Sequence, residues 1–145
     1  MTRIIARPAD LDLDSPGRRD YWVALEHDTM WGEHHIPLTV MVGPGATPDQ
    51  GLLAIGSNHG NEYEGPVAIK HLIGEIDIAQ VVGRLIFIPV LNPAAFHSGT
   101  RESTDHDGVN LNRAFVDGAG VTPALAGITH RIAAFVRQYL WPRVH

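Results

Sequence analysis

The chain has 145 residues and a formal charge of −5, and it is 44% hydrophobic and 19% charged. That length suits one domain with a real core rather than two, and the acidic balance gives no electrostatic support to a nucleic-acid partner. With no cysteine, disulfides, thiolate metal sites and cysteine nucleophiles are excluded; no apolar stretch approaches the ~20 residues of a membrane span, and a cytoplasmic location is expected.

Residues 1–19 read as a weakly structured leader rich in Asp, Arg, Pro and Gly, with too short an apolar run for a signal peptide. Tyr21–Leu25 and Ile36–Val42 read as strands, joined by a hairpin connection from His27 to His35. Pro37 favours an edge or strand-start position for the second. Residues 43–49 are a glycine- and proline-rich loop. Gly51–Ile55 is a short, fully apolar run, as expected of a buried central strand. A helix opens at Glu64, with Pro66 suited to its first turn, and Val67, Ala68, His71 and Leu72 follow at roughly helical spacing.

Leu85–Val90 is another buried strand, ended by Asn92-Pro93. Residues 97–120 form a long polar loop of functional character. Thr122-Pro123 starts a last helix, with Ile128, Ile132, Phe135, Val136, Tyr139 and Leu140 as its apolar stripe and Pro142 as its stop. The order predicts an α/β fold, a mixed sheet flanked by helices that begins with a hairpin. A strand normally follows such a last helix, so the end of the chain reads as an interruption.

The most informative stretch is Gly56-Ser57-Asn58-His59-Gly60-Asn61-Glu62-Tyr63-Glu64-Gly65. His59 and Glu62 stand three residues apart at a strand-to-helix junction. Such a pair can offer one nitrogen and one carboxylate to a single zinc ion from a rigid base, and strand C-termini are where α/β folds bind ligands. Gly60 is expected to allow the tight turn between them. The alternative is a polar loop in which His59 bonds backbone and Glu62 merely begins the helix. Arg101 near a metal could polarise a carbonyl and hold the oxyanion that develops there. Arg113 could clamp a carboxylate with its two-pronged donor geometry, and Asn112 could add a directed donor. Alone, each also fits an ordinary surface role.

Other groups carry weaker readings. His34 and His35 are adjacent, and strand neighbours point to opposite faces, so they make a poor chelate and suit a solvent-facing hairpin. His97 and His106 could line the pocket or make ordinary loop hydrogen bonds. Asp105-His106-Asp107 could neighbour a substrate's polar end or form a solvated turn. His71 suits a helix surface, and Trp22 and Trp31 suit an apolar cover near the hairpin. Ser57 has no histidine-and-acid constellation around it in the sequence.

Taken together, the Gly56–Gly65 stretch, Leu91-Asn92-Pro93, Arg101 and Asn110-Leu111-Asn112-Arg113-Ala114-Phe115 resemble the succinylglutamate desuccinylase/aspartoacylase family of the zinc carboxypeptidase-like group. The resemblance runs in order from about Leu52 to Phe115. It implies a zinc-dependent amidohydrolase that removes an acyl group from an N-acyl amino acid, with one zinc ion per complete site. It assigns His59 and Glu62 as metal ligands, Arg101 as the carbonyl-polarising catalytic residue, and Asn112 and Arg113 as the substrate-carboxylate pair. The Asn-His-Gly-Asn-Glu-Tyr-Glu-Gly version of the zinc motif is most similar to the ectoine-degradation branch, which implies N-acetyl-2,4-diaminobutyrate as substrate.

The family's third zinc ligand, in an Asp-Leu-His type motif, and its catalytic glutamate have no counterpart in this sequence. His145 is terminal and lacks the strand context of that ligand. Phe115-Val116-Asp117-Gly118 stands where Phe-Pro-Gly is often found. The expectation is therefore a leader over residues 1–19 and, over 20–145, the N-terminal part of a single carboxypeptidase-like catalytic domain truncated on its C-terminal side. The alternatives are a metallocarboxypeptidase acting on peptides, and a non-catalytic module that binds a carboxylate ligand or a partner chain. An unpaired sheet edge would favour self-association into a homo-oligomer.

Overall fold

The computed structural model describes residues 3–26, 32–47, 49–103, 106–115 and 127–144. Its strands are β1 (Ile4–Ala6), β2 (Gly17–Glu26), β3 (Glu33–Val42), β4 (Gly51–Ile55) and β5 (Arg84–Ile88). Its α-helices are α1 (Glu64–Glu75), α2 (Pro93–Ser98), α3 (Leu111–Ala114) and α4 (Ile128–Phe135). A π-type turn (Val136–Leu140) and a 3-10 turn (Trp141–Arg143) prolong α4. The five strands form one mixed sheet in the order β1-β2-β3-β5-β4. The β2–β3 and β3–β5 pairs are antiparallel, and β1–β2 and β4–β5 are parallel. Parallel neighbours need a crossover, and α1 supplies it between β4 and β5.

Period-two alternation divides the sheet into two faces. Tyr21, Val23 and Leu25 of β2, Ile36, Leu38, Val40 and Val42 of β3, and Ile86 and Ile88 of β5 face one side. There they pack on Leu111 of α3, Ile128, Ile132 and Phe135 of α4, and Val136 and Leu140 beyond it. Each such side chain stabilises the fold by about 1.5–3 kcal/mol. The opposite face is smaller: Met41 and Phe87 meet Ile69 of α1, with Ile73 and Ile76 partly buried beside them. The result is an α/β fold with helices on both faces of a mixed sheet, as expected.

Several details differ from the sequence reading. Residues 4–16 are not weakly structured: β1 pairs with β2, Pro8–Asp10 forms a 3-10 turn, and Leu13 is buried. Arg84 holds this segment. Its guanidinium is 6% exposed and donates to the Leu13 carbonyl, the Arg143 carbonyl and Asp14. One side chain thus ties the N-terminal segment, β5 and the last turn together. On the smaller face Arg18 bonds both buried Asp20 and the Ile73 carbonyl at the end of α1.

The β4 strand is not central. Among the described residues it ends the sheet, and Leu52 is 51% exposed. An unbroken apolar run reports cover on the two faces of a strand and says nothing about how many neighbours it has. In α1 the buried stripe is Ile69, Ile73 and Ile76, at i, i+4 and i+7, while Val67, His71 and Leu72 are exposed. Two apolar stripes were available, and the sheet selected one. Pro37 does fit its local expectation. It lies in the part of β3 that runs past the end of β5, so it has a partner strand on one side only. The long loop is shorter than expected, because α2 and α3 occupy parts of it. The Thr122-Pro123 helix start, Trp31, Asp105, Val116–Gly118 and His145 lie outside the described residues.

Candidate metal and substrate site

The β4 strand delivers the chain at Ile55 into a loop whose glycines are set by close packing. A Cβ on Gly56 would strike the Pro89 carbonyl and the Pro66 nitrogen, and one on Gly60 would overlap the backbone of Ala95 in α2. Gly60 has no positive φ, so close approach to α2, not the tight turn expected of it, accounts for the glycine. Buried Ser57 adopts φ 47°, a conformation that L-residues adopt only where the surroundings over-determine it. Three backbone bonds do so: Gly56 N–H to the Ile88 carbonyl, Leu91 N–H to Gly56, and Asn92 N–H to Ser57. The loop is thereby locked onto the end of β5.

This rigid base positions His59, which is 3% exposed. Its Nδ1 lies 2.9 Å from Glu62 Oε1. Arg101 Nη1 donates to the same Glu62 oxygen at 3.3 Å. On the other side of the ring, Nε2 lies 3.1 Å from Asn110 Oδ1 and 3.3 Å from Asn112 Nδ2. Asn58 donates to Asn112 Oδ1 at 3.0 Å. Three segments that are distant in sequence therefore meet around one imidazole. Arg113 stands next to Asn112 in α3 and is exposed.

The ring cannot serve both asparagines at once, because a nitrogen either carries a proton or accepts one. With the proton on Nδ1, His59 donates to Glu62 and Nε2 accepts from Asn112. With the proton on Nε2, His59 donates to Asn110 and the Nδ1 lone pair faces Glu62. The second state is the one a metal requires, and an amide oxygen behind a ligating histidine is the usual way to fix it. An imidazole nitrogen and a carboxylate oxygen are a donor set zinc accepts. Two ligand atoms about 2.0–2.1 Å from a tetrahedral zinc stand about 3.4 Å apart. The pair at 2.9 Å needs to open by only about half an ångström, so it fits two positions of such a site. Among the described residues no group of three or more His, Asp or Glu side chains converges.

In the state with the proton on Nδ1, the hydrogen bond from His59 holds the Glu62 carboxyl below its usual range, slight burial opposes this, and the charge of Arg101 adds to the lowering. Glu62 is therefore an anion at neutral pH. His97 and His106 do not join the cluster. They line a separate cavity with Trp22, His34 and His35, and His34 packs edge-on against His106 at 4.9 Å rather than facing solvent. Asp107 lies in a turn, partly exposed, and its carboxylate is bonded to Thr129. The sequence reading missed Asn58 and Asn110. A signal for Asn110 was present: Asn at the residue before a short helix is a capping residue, and it does cap α3 through Asn112 N–H.

The fold and this cluster define a mixed-sheet α/β catalytic-domain type with its site at the strand C-termini. Residues 48–138 match the succinylglutamate desuccinylase/aspartoacylase catalytic domain, and the chain belongs to that family. It is 34% identical over 141 residues to the N-alpha-acetyl-L-2,4-diaminobutyric acid deacetylase of Halomonas elongata, an alignment covering 92% of this chain and 37% of that protein. Among solved structures, a succinylglutamate desuccinylase/aspartoacylase from Rhodobacter sphaeroides superposes with TM-score 0.80 at 31% identity, covering 93% of this chain and 40% of the other. The product-bound ectoine utilization protein EutE (DoeB) from Ruegeria pomeroyi gives TM-score 0.76 at 39% identity, with the same coverage. The chain thus spans about two fifths of the length of these relatives. No helix among the described residues is long and apolar enough to cross a membrane.

Proposed function

We propose that this chain is the N-terminal part of a single zinc-hydrolase catalytic domain that removes the acyl group from an N-acyl amino acid in the cytoplasm. The substrate in this reading is N-acetyl-2,4-diaminobutyrate, a compound of ectoine degradation. The observation that carries the reading is the meeting of His59, Glu62, Arg101 and Asn112 in one hydrogen-bonded cluster. Family membership and the deacetylase relative support it.

In this reading His59 Nδ1 and Glu62 Oε1 hold the metal, and Asn110 keeps the ring proton on Nε2. Zinc bound there supplies Lewis acidity toward the amide carbonyl and makes water acidic enough to ionise near neutral pH. Arg101 stabilises the negative charge that develops on the amide oxygen as the carbonyl carbon becomes tetrahedral. It must first release Glu62, and an exposed pair of this kind is weakly held. Arg113 receives the substrate carboxylate on its paired donors, and Asn112 adds a directed N–H. Its amide is free to do so once the ring proton sits on Nε2, because Nε2 then no longer accepts from it.

The test is zinc titration of the complete protein of which this chain is the N-terminal part, beside its His59→Ala variant, with turnover assays on N-acetyl-2,4-diaminobutyrate and on blocked peptides. This chain alone is expected to show no turnover, because the third zinc ligand and the catalytic glutamate have no counterpart in it. Zinc binding lost in the variant, turnover of the acyl amino acid and a raised KM in Arg113→Ala are expected. Equal zinc affinity in the variant, or a preference for peptides, overturns the reading.

A further inference from the structure

Of the described residues between 101 and 113, four carry roles in the reading above: Arg101, Asn110, Asn112 and Arg113. Asn92 and Ser103 supply one anchor. Asn92 Nδ2 donates to Ser103 Oγ at 2.9 Å, the Ser103 hydroxyl lies 3.1 Å from Asn92 Oδ1, and Asn92 also caps α2. Both residues are fully buried. The Ser103 carbonyl accepts from the N–H groups of His106 and Gly108, closing a tight turn. Arg101 stands two residues before this anchor.

A second anchor is Asp107. Its carboxylate accepts from Thr129 N–H at 2.8 Å, from the Thr129 hydroxyl at 2.7 Å and from Val109 N–H at 3.2 Å. Thr129 is fully buried in the first turn of α4, where a carboxylate meets unpaired N–H groups and the positive end of the helix dipole. The Val109 bond fixes the backbone immediately before Asn110, the residue behind His59 that also caps α3. Gly127 leaves room for this seat: a Cβ there would come within 2.6–2.8 Å of the Asp107 carboxylate and Cβ. The backbone of Gly127, with φ −60°, would itself admit alanine. Among the described residues, the three atoms nearest to a Cβ at this position all belong to Asp107.

We infer that Asp107 is a positioning residue that hangs the Asn110–Arg113 segment from the start of α4, and so sets where the substrate carboxylate is received. This rests on the reading of Asn112 and Arg113 given above. Asp107 touches no proposed ligand and no substrate group; it acts through Val109 and the cap of α3.

The experiment compares the complete protein that contains this chain with its Asp107→Ala, Gly127→Ala, Thr129→Val and Thr129→Ser variants. It measures kcat and KM on N-acetyl-2,4-diaminobutyrate, zinc affinity by competition, thermal midpoint and amide exchange across residues 109–113. Gly127→Ala removes no hydrogen-bonding group and only displaces Asp107. Asp107→Ala and Gly127→Ala are expected to raise KM about tenfold while kcat stays within about threefold, as a small misplacement of a binding group does. Zinc affinity falls by less than in Asn110→Leu, which loses the acceptor outright, and exchange at Val109 and its neighbours accelerates. Thr129→Val shifts KM the same way, and Thr129→Ser, which keeps the hydroxyl, restores it. Unchanged KM and unchanged exchange in folded Asp107→Ala overturn the inference. So does a rise in KM that comes with a fall in kcat, in zinc affinity beyond that of Asn110→Leu and in thermal midpoint, which is what general loosening produces. If the unsubstituted complete protein hydrolyses no N-acyl amino acid, the functional reading has failed, and the exchange at 109–113 decides the role of Asp107 alone.

Discussion

Replacing Arg84 with methionine removes the guanidinium while keeping most of the apolar stem. Its three bonds are unequal. The Leu13 carbonyl lies in a buried setting and has a charged donor, a bond worth about 1.5–3 kcal/mol. The Arg143 carbonyl is part-buried, and losing its donor costs about 1 kcal/mol. The Asp14 carboxylate is 57% exposed, so its pairing contributes at most about 1 kcal/mol. Against these stands the recovered cost of burying a cation. Because Asp14 is not left buried and unpaired, the loss stays below the roughly 3–5 kcal/mol of a fully buried broken pair. The expected net loss is about 2–4 kcal/mol, or roughly 10 °C in thermal midpoint at this length. Urea unfolding is the assay, and the midpoint should fall at constant slope. Asp14→Asn should cost less than about 1 kcal/mol. If Asp14→Asn proves as costly as Arg84→Met, charge attraction rather than carbonyl capture carries the clamp. A loss under about 0.5 kcal/mol in Arg84→Met would refute the clamp itself.

Asn110→Leu removes the acceptor behind His59 Nε2 and is expected to weaken zinc binding about 10–100-fold, read by competition with a chelating dye; unaltered affinity contradicts the tautomer argument. Burial works against ionisation of Asp20, but the hydrogen bonds from Thr39 and Arg18 outweigh it and hold its pKa below 3.8. A depressed carboxyl contributes stability that is present above its unfolded pKa and lost as pH falls through its lower folded value. Acid titration of stability should therefore show a loss below about pH 4 that is smaller in Thr39→Val, where the native pKa moves back up. An equal acid loss in both proteins would exclude Asp20 as its source. Gly60→Val should destabilise by more than 1 kcal/mol, since the added carbons meet the α2 backbone; a neutral result by thermal melt would mean that α2 can move away.

Much of this chain can be read without coordinates. Period-two alternation in β2 and β3, the helix opening at Glu64 and the stripe at Ile128, Ile132, Phe135, Val136 and Leu140 are local patterns, and local sterics and burial enforce them. The candidate site was also legible as residue types: His59 with Glu62, Arg101, and Asn112 with Arg113 are short motifs whose side-chain chemistry is specific. Their meeting was not. Contacts between residues about fifty positions apart depend on β4 and β5 lying side by side and on Ser57 holding its left-handed turn. On α1 the sheet buries Ile69, with Ile73 partly buried beside it, and leaves Val67, His71 and Leu72 exposed. The edge position of β4 is a matter of neighbours, which composition does not record. Arg84 carries no signal in the sequence, and Asp107 reads there as a neighbour of a substrate's polar end or part of a solvated turn. They became a clamp and an anchor because the tertiary fold brought carbonyls and N–H groups to them that would otherwise be buried without partners.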